Sequence, residues 1–295
     1  MRPELEKALG TLKPGRREDL ERALALLQDT VFSFSFKVCG HRQDAEDTMQ
    51  ETLLRAAASL PRFDSPKALA VWLYKVAKTR CLMSRRKSKF APKEELSLEV
   101  LMPDRAELER LAKGGAPHPE RLLLAGESAE RVGQAVLKLP PEYRLALVLH
   151  DMEELSTEEI ARVLGVREGT VRVRLHRARV FVRNALARAD GGAKAREKIA
   201  PPRPMGCKDL FASLSDYLDG QLDVRHCAAL EKHLDGCNPC LMFLESLRQT
   251  VERLKKQKPG TLDPARAART RAELLAAYRK AVEAVAGREK RGNRK

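Results

Sequence analysis

Apolar residues recur at helical spacing along most of the 295-residue chain, and few runs show the period-two alternation of strands. The clearest example lies between Leu139 and Val182. Ser156 stands three residues before Glu159, the reciprocal arrangement of an N-terminal capping box. Apolar residues follow at Ile160, Val163 and Leu164. Gly165 ends this run as a C-terminal cap would, so a short helix followed by a turn is predicted.

The segment after Gly165 predicts a second helix with two different sides. Its apolar stripe is formed by Val171, Leu175, Ala178 and Val182. The remaining surface carries Arg172, Arg174, Arg177, Arg179 and Arg183. A short helix, a glycine turn and a basic second helix indicate a helix-turn-helix, whose second helix enters the DNA major groove. A solvated basic face without a ligand is the alternative interpretation.

The sequences LPPEYR, ELSTEEIARVLGV and GTVRVRLHRAR closely resemble the domain of extracytoplasmic-function sigma factors that reads the promoter −35 element. The resemblance implies −35 contacts by Thr170, Arg172, Arg174, Arg177 and Arg179. Val173 stands where the family usually has serine. This difference would alter a contact with a phosphate of the DNA backbone.

An earlier helix is predicted from Asp44 to Ala56, with Asp44 as its N-cap. Its buried stripe is Ala45, Met49, Leu53 and Ala56. Acidic and amide groups project from its other faces, at Glu46, Asp47, Gln50 and Glu51. Such a concentration of acid in a basic protein indicates a surface that meets a basic protein partner.

The segment from Trp72 to Lys89 predicts a basic helix. Its cationic residues are Lys75, Lys78, Arg80, Arg85, Arg86, Lys87 and Lys89. They can follow a phosphate backbone, and nearby aromatic rings are what single-stranded DNA needs for base stacking. Alternatively, Trp72 and Tyr74 are core residues, and for Trp72 we favour the core.

Together the acidic and basic helices resemble the −10-reading domain of the same sigma family. The resemblance implies that Asp44, Glu46, Asp47, Gln50 and Glu51 bind the clamp helices of the largest RNA polymerase subunit. It also implies that the loop Arg62 to Ala68 and the following helix melt the −10 element. The implied DNA contacts are Arg62, Phe63, Lys75, Lys78, Thr79, Arg80, Arg85 and Arg86. Thr79 stands where the family usually has asparagine, and Met83 stands where it usually has aspartate. These changes concern the capture of one specific base, and not promoter melting in general.

Cys207, His233, Cys237 and Cys240 have the spacing C-x25-H-x3-C-x2-C, which predicts one tetrahedral structural zinc ion. The fourth ligand is the open assignment, because His226 and Cys227 lie nearby. A redox C-x-x-C pair is the alternative. The segment resembles the zinc-binding anti-sigma domain, which normally belongs to a separate regulator. Cys39 and Cys81 lie on apolar helical stretches and are predicted to be ordinary buried thiols.

The predicted fold is all-α, with two small helical sigma domains joined by a flexible linker, a small helical zinc-binding domain and a basic helical tail. Composition shifts place the boundaries at 1–17 for an N-terminal arm, 18–90 for the −10 domain, 91–127 for a linker, 128–188 for the −35 domain, 189–205 for a proline-rich linker, 206–256 for the zinc module and 257–295 for the tail. Asp263 is the predicted cap of the tail helix, which could dock on the sigma domains or bind nucleic acid.

The net charge of +15 and the pI near 9.7 favour a polyanionic partner. The sequence lacks a secretory signal core and an apolar run of about 18 residues, so we expect a cytoplasmic protein without a membrane contact. No nucleotide-binding loop or nucleophile with its base is evident, and no enzymatic activity is expected. The predicted function is a promoter-reading subunit of RNA polymerase, with core polymerase and promoter DNA as partners. A zinc module is expected to contact the sigma domains in cis and to regulate them in response to redox or metal. A helix-turn-helix regulator acting without polymerase and a zinc-thiol redox sensor are the alternatives.

Overall fold

The computed structural model of the protein describes residues 3–11, 17–60, 63–85, 96–103, 107, 125–189, 210–257, 260, 263–273 and 275–276. Within these ranges the regular secondary structure is helical and contains no strand, which confirms the all-α prediction. None of the helices in these ranges is long and apolar enough to cross a membrane. The chain forms two compact units. Unit 1 comprises residues 1–90, 162–164 and 258–295, and unit 2 comprises residues 91–161 and 165–257.

Unit 1 is built around four helices: α1 (Pro3–Thr11), α2 (Arg17–Cys39), α3 (Arg42–Ser59) and α4 (Pro66–Arg85). The predicted apolar stripe of α3 is buried, with Ala45, Met49, Leu53 and Ala56 at most 3% exposed. An aromatic pair joins α2 to α4, since the rings of Phe34 and Tyr74 lie 4.7 Å apart. The stripe prediction is therefore confirmed, and Tyr74 is a core residue.

Two local predictions for unit 1 are wrong. Helix α3 begins at Arg42 with His41 as N-cap, so Asp44 lies inside the first turn. Cys39 and Cys81 are also joined in a disulfide, with their Cα atoms 5.7 Å apart. Both side chains are buried as predicted. Helical spacing shows that each cysteine faces the core, but it cannot show that the end of α2 meets the C-terminal part of α4.

The first part of unit 2 contains α5 (Leu98–Leu101), α6 (Ala125–Leu137), α7 (Pro141–Leu147), α8 (Thr157–Leu164, whose last residues 162–164 cluster with unit 1) and α9 (Glu168–Ala189). A π-helical turn, Val148–Met152, continues α7.

The predicted caps of α8 are confirmed. The Ser156 hydroxyl accepts from the Glu159 amide at 3.2 Å, and the Glu159 carboxylate accepts from the Ser156 amide at 2.9 Å. Gly165 has φ of 71°, a left-handed conformation that suits glycine. The apolar stripe of α9 is buried, with Val171, Leu175, Ala178 and Val182 at most 1% exposed. The two helices thus form the predicted helix-turn-helix.

The second part of unit 2 is a C-terminal module of α10 (Leu214–Leu218), α11 (Val224–Gly236) and α12 (Asn238–Lys255). One apolar cluster contains module residues such as Phe211, Phe243 and Leu247 together with Val180 of α9. Leu101 and Met102 belong to the same cluster, although they fall within the predicted flexible linker. The linker prediction is therefore wrong for this stretch, because a short apolar segment inside a polar region finds a buried position that composition does not reveal.

Candidate nucleic-acid interface and metal centre

The first turns of α9 form the accessible part of the predicted −35-reading surface. Thr170 is exposed, and Val173 is 49% exposed although it is apolar. Arg172 donates to the Glu168 carboxylate at 2.7 Å, and Arg174 forms an ion pair with Glu142. These arginines are held by exposed or half-exposed carboxylates, which a phosphate group can replace.

Arg177 is partly buried, whereas Arg179 is fully buried, so the prediction that Arg179 contacts DNA is wrong for this conformation. The Arg179 guanidinium binds two carboxylates. It donates to both oxygens of Asp151 at 2.9 and 2.5 Å, and to both oxygens of Asp219 at 2.8 and 2.9 Å. Asp151 lies in the π-helical turn before α8, and Asp219 follows α10 of the C-terminal module.

Charge pairing outweighs the cost of burial in this cluster. Burial alone would raise the pKa of the Asp151 carboxyl, but the Arg179 charge and hydrogen bonds hold it well below its usual range. Burial likewise would lower the pKa of Arg179, and the two aspartates raise it instead. The arginine and Asp151 are therefore both charged in the interior, a state that persists only while they remain paired.

Two further residues of α9 point into the C-terminal module. The guanidinium of Arg183 donates to the Ser246 hydroxyl at 2.9 Å and lies 4.3 Å from the centre of the Phe243 ring. The His176 ring lies 3.0 Å from the Ser215 hydroxyl. Burial lowers the pKa of His176 to about 4, and the nearby Arg179 and Arg177 charges act in the same direction. Sequence periodicity places these residues off the apolar stripe, and their burial is visible only once the module is present.

The acidic residues of α3 divide into exposed and buried groups. Asp47 is exposed, while Asp44, Gln50 and Glu51 are partly buried. Glu46 is only 6% exposed, although it lies off the apolar stripe of α3. It pairs with Arg42 at 3.1 Å and with Arg266 of the C-terminal tail at 2.6 Å.

The structure places part of the predicted −10 surface. Phe63 packs against Trp72, with ring centres 5.6 Å apart and both rings partly accessible. Lys75 and Thr79 are exposed, and Lys78 and Arg80 are partly buried. Arg62 and Arg86 lie outside the described residues, as does the side chain of Arg85.

Three predicted metal ligands come together at the junction of α11 and α12. One donor atom each of His233, Cys237 and Cys240 lies within 4.8 Å of the others, and His233 Nε2 is 3.3 Å from Cys240 Sγ. Two thiols and an imidazole are the donor set that zinc prefers, so these residues fit the ion. Cys207, the fourth predicted ligand, lies outside the described residues.

The alternative fourth ligands are placed elsewhere. His226 is exposed and lies 2.5 Å from the Asp223 carboxylate, and Cys227 donates to the Leu222 carbonyl. Neither belongs to the three-residue cluster.

The fold and these surfaces define a helical DNA-binding protein with an attached metal-ligand cluster. The family model for Sigma-70 region 2 matches residues 24–90, and that for Sigma-70, region 4 matches residues 129–189. A third model, described as "Putative zinc-finger", matches residues 207–241.

Several curated proteins are similar to the sigma-like part of the chain. The ECF RNA polymerase sigma factor SigW of Bacillus subtilis is 29% identical over 182 residues, which cover 62% of this chain and 96% of that protein. The ECF RNA polymerase sigma factor SigE of Mycolicibacterium smegmatis is 35% identical over 161 residues, 54% of this chain and 58% of that protein. The ECF RNA polymerase sigma-E factor of Escherichia coli K12 is 32% identical over 149 residues, 48% of this chain and 73% of that protein.

The chain belongs to the extracytoplasmic-function sigma factors, and its function is promoter-directed initiation of transcription. Members of this family are not enzymes. Membership implies core RNA polymerase and promoter DNA as partners.

Proposed function

We propose that this sigma factor reads the −35 element with a helix that its own zinc-binding module holds in place, and that the state of the metal site regulates promoter recognition. The observation that supports this most directly is the position of Arg179. One buried guanidinium binds Asp151 of the π-helical turn before α8 and Asp219 of the module at the same time. Movement of the module away from α9 would therefore expose the Arg179 guanidinium or remove one of its carboxylate partners.

The proposed polymerase contact uses two accessible acids of α3, the exposed Asp47 and the partly buried Glu51. Asp47 and Glu51 are one helical turn apart, so they present two negative charges on one face. The clamp helices of the polymerase are the partner that the family resemblance implies. Glu46 belongs to the same set, but it must first give up its bond to Arg266.

Reversing both charges in Asp47→Lys/Glu51→Lys should weaken binding to purified core RNA polymerase by roughly tenfold at low salt, because interface charges act on association rate and salt dependence. Surface plasmon resonance at two salt concentrations measures this. The control is Glu6→Lys/Glu18→Lys, which makes the same change of net charge at exposed positions of α1 and α2. Equal binding by the two double variants would mean that total charge, and not the α3 surface, attracts the polymerase.

The proposed −35 contact uses the accessible turns of α9. The N-terminal residues of the second helix reach base edges in a helix-turn-helix complex. Thr170, Arg172, Arg174 and Arg177 occupy this half of α9, and Arg172 and Arg174 would exchange glutamate partners for DNA.

Arg174→Ala and Arg177→Ala should each weaken promoter binding. A base-edge contact costs about 1–3 kcal/mol and relaxes specificity at one base pair, whereas a phosphate contact weakens all sequences alike. Titration of labelled promoter variants distinguishes these cases. Arg188→Ala, at the exposed far end of α9, is the control. Promoter affinity unchanged in both test variants would exclude this half of α9 from the −35 contact.

The proposed −10 contact combines the partly accessible Phe63 and Trp72 rings with the cationic residues of α4. A base freed from the duplex can stack on such rings, and lysine or arginine can follow the backbone. Among the predicted −10 contacts, Lys75 is exposed, and Lys78 and Arg80 are partly accessible.

We propose that His233, Cys237 and Cys240 hold one zinc ion with Cys207. A bound zinc ion would supply a structural cross-link, because four protein ligands leave no open position for catalysis. The three described ligands lie where α11 meets α12, and α12 carries Phe243 and Ser246 to Arg183 of α9. Oxidation of the thiols or loss of the ion would therefore loosen the elements that pack on the −35-reading helix.

The regulatory proposal is tested by Asp219→Asn. This change weakens the module's hold on Arg179, leaves the Asp151 pair intact and touches no metal ligand. We expect Asp219→Asn and Cys237→Ser/Cys240→Ser to shift the promoter affinity of the polymerase holoenzyme in the same direction. Asp235→Asn, on an exposed part of α11, is the control for loss of one acidic charge. Wild-type promoter affinity in both test variants would mean that the module does not regulate promoter recognition.

A further inference from the structure

The C-terminal tail lies against the sigma domain of unit 1. Residues 264–273 form a helix, here called the tail helix, whose N-terminus is capped by Asp263 through the Arg266 amide at 3.0 Å. This confirms the predicted cap. Thr270 is only 7% exposed, so one side of the tail helix is covered.

Polar contacts from three parts of the tail hold it in place. The Gln28 side-chain amide donates to the Ala267 carbonyl at 3.1 Å, and Arg271 donates to the Gln28 side-chain oxygen at 3.4 Å. The Gly260 amide donates to the Ser33 hydroxyl at 3.2 Å. These contacts involve the tail backbone as well as its side chains, so they fix the position of the tail helix along α2.

The contact of greatest consequence is made to α3. The Arg266 guanidinium lies 2.6 Å from a Glu46 carboxylate oxygen, and the Glu46 side chain is only 7% exposed. The other Glu46 oxygen bonds to Arg42. The carboxylate is thus paired with two arginines and largely shielded from water, so it is not available to an external basic partner while the tail helix is docked.

We propose that the tail helix is an intramolecular competitor of core RNA polymerase for the acidic surface of α3. Arg266 supplies to Glu46 the same kind of cation that a basic polymerase surface would supply. A segment tethered to the same chain acts at a high effective concentration, so even a short helix with few contacts competes with an external partner. Polymerase binding then requires undocking, and the apparent affinity is reduced by the fraction of molecules with the tail docked. This inference rests on the proposed polymerase contact of α3.

The test uses the full-length chain and purified core polymerase. Arg266→Glu places a second negative charge beside Glu46 and should release the tail helix. We expect polymerase binding to become several-fold tighter. The gain would reach about tenfold if the substitution shifts the docking equilibrium by about 1.4 kcal/mol. Arg269→Glu is the matched control, because it makes the same change one turn away at an exposed position of the same helix. Gln28→Ala loosens the tail from α2 and should act in the same direction as Arg266→Glu.

Hydrogen exchange gives a second readout. Amides of residues 264–273 should exchange faster when wild-type protein binds core polymerase, because binding displaces the tail helix. Retained protection in the complex would overturn the inference, as would Arg266→Glu binding no more tightly than Arg269→Glu. If the inference alone fails, Asp47→Lys/Glu51→Lys still weakens binding. If the proposed polymerase contact fails, that double variant binds like the wild type.

Discussion

Replacing Cys237 and Cys240 with serine is expected to remove the bound metal and unfold the region around α11. The reason is the small core of this region: only Leu230 and Leu234 of α11 are buried. Structural zinc contributes on the order of 10 kcal/mol to such modules at neutral pH. Mass spectrometry of native wild-type protein should show about one zinc ion per chain, and the variant should carry none. Hydrogen exchange of α11 should rise toward that of an unfolded segment.

Cys227→Ser is the matched control for this experiment. Cys227 lies on the same helix α11, is partly buried and stands outside the ligand cluster. It should retain one equivalent of zinc and the protection of α11. A double variant that keeps its zinc, or loses it without any change in exchange, would contradict the structural role assigned to the ion.

Replacing Arg179 with methionine is expected to destabilise unit 2 by about 3–5 kcal/mol, because it removes the arginine partner of the fully buried Asp151 carboxylate and leaves that carboxylate with the His150 ring at 2.8 Å. The Asp219 carboxylate also loses the hydrogen bonds that it accepts from Arg179. Native-state hydrogen exchange of α9 and α12 measures the effect within unit 2. Tryptophan fluorescence cannot replace it, since the single tryptophan, Trp72, lies in unit 1.

Two variants give this experiment its controls. Arg248→Met makes the same substitution at an exposed ion pair with Glu245 and should cost at most about 1 kcal/mol. Adding Asp151→Asn to Arg179→Met removes the orphaned charge and should recover part of the lost stability. If Arg179→Met costs no more than Arg248→Met, the buried charge cluster does not form in solution.

Local sequence signals predicted local structure well in this protein. The capping box of Ser156 and Glu159, the left-handed Gly165 and the apolar stripes of α3 and α9 all depend on residues within about three helical turns of one another. Over such short separations, capping residues and helical periodicity largely determine the local structure. The cluster of His233, Cys237 and Cys240 was also predictable, because these residues lie within two turns of one another.

Contacts between distant segments were not predictable from the same signals. Arg179 looked like a surface arginine of a basic helix because its partner Asp219 lies 40 residues further on. Glu46 looked exposed because the residue that covers it, Arg266, belongs to the tail. Cys39 and Cys81 are separated by 42 residues, and Leu101 finds its apolar cluster across a polar linker. In each case periodicity identified the face of the helix but not what packs against it.

The proposed regulation therefore has two parts on separate units. In unit 2 the zinc module packs on the −35-reading helix through Arg179, Arg183 and His176. In unit 1 the tail helix occupies Glu46 on the acidic surface of α3. Both involve charged residues that the sigma domains would otherwise present to DNA or polymerase.

We conclude that this chain directs core RNA polymerase to promoters, and in vitro transcription is the direct test. Genomic fragments are transcribed by core polymerase alone, with the full-length chain, with Arg266→Glu and with Asp47→Lys/Glu51→Lys, and the transcript ends are sequenced. We predict initiation at a discrete set of sites that share two spaced elements, more strongly with Arg266→Glu than with wild type and much reduced with Asp47→Lys/Glu51→Lys. This conclusion would be contradicted if both the wild type and Arg266→Glu gave initiation no more specific than that of core polymerase alone.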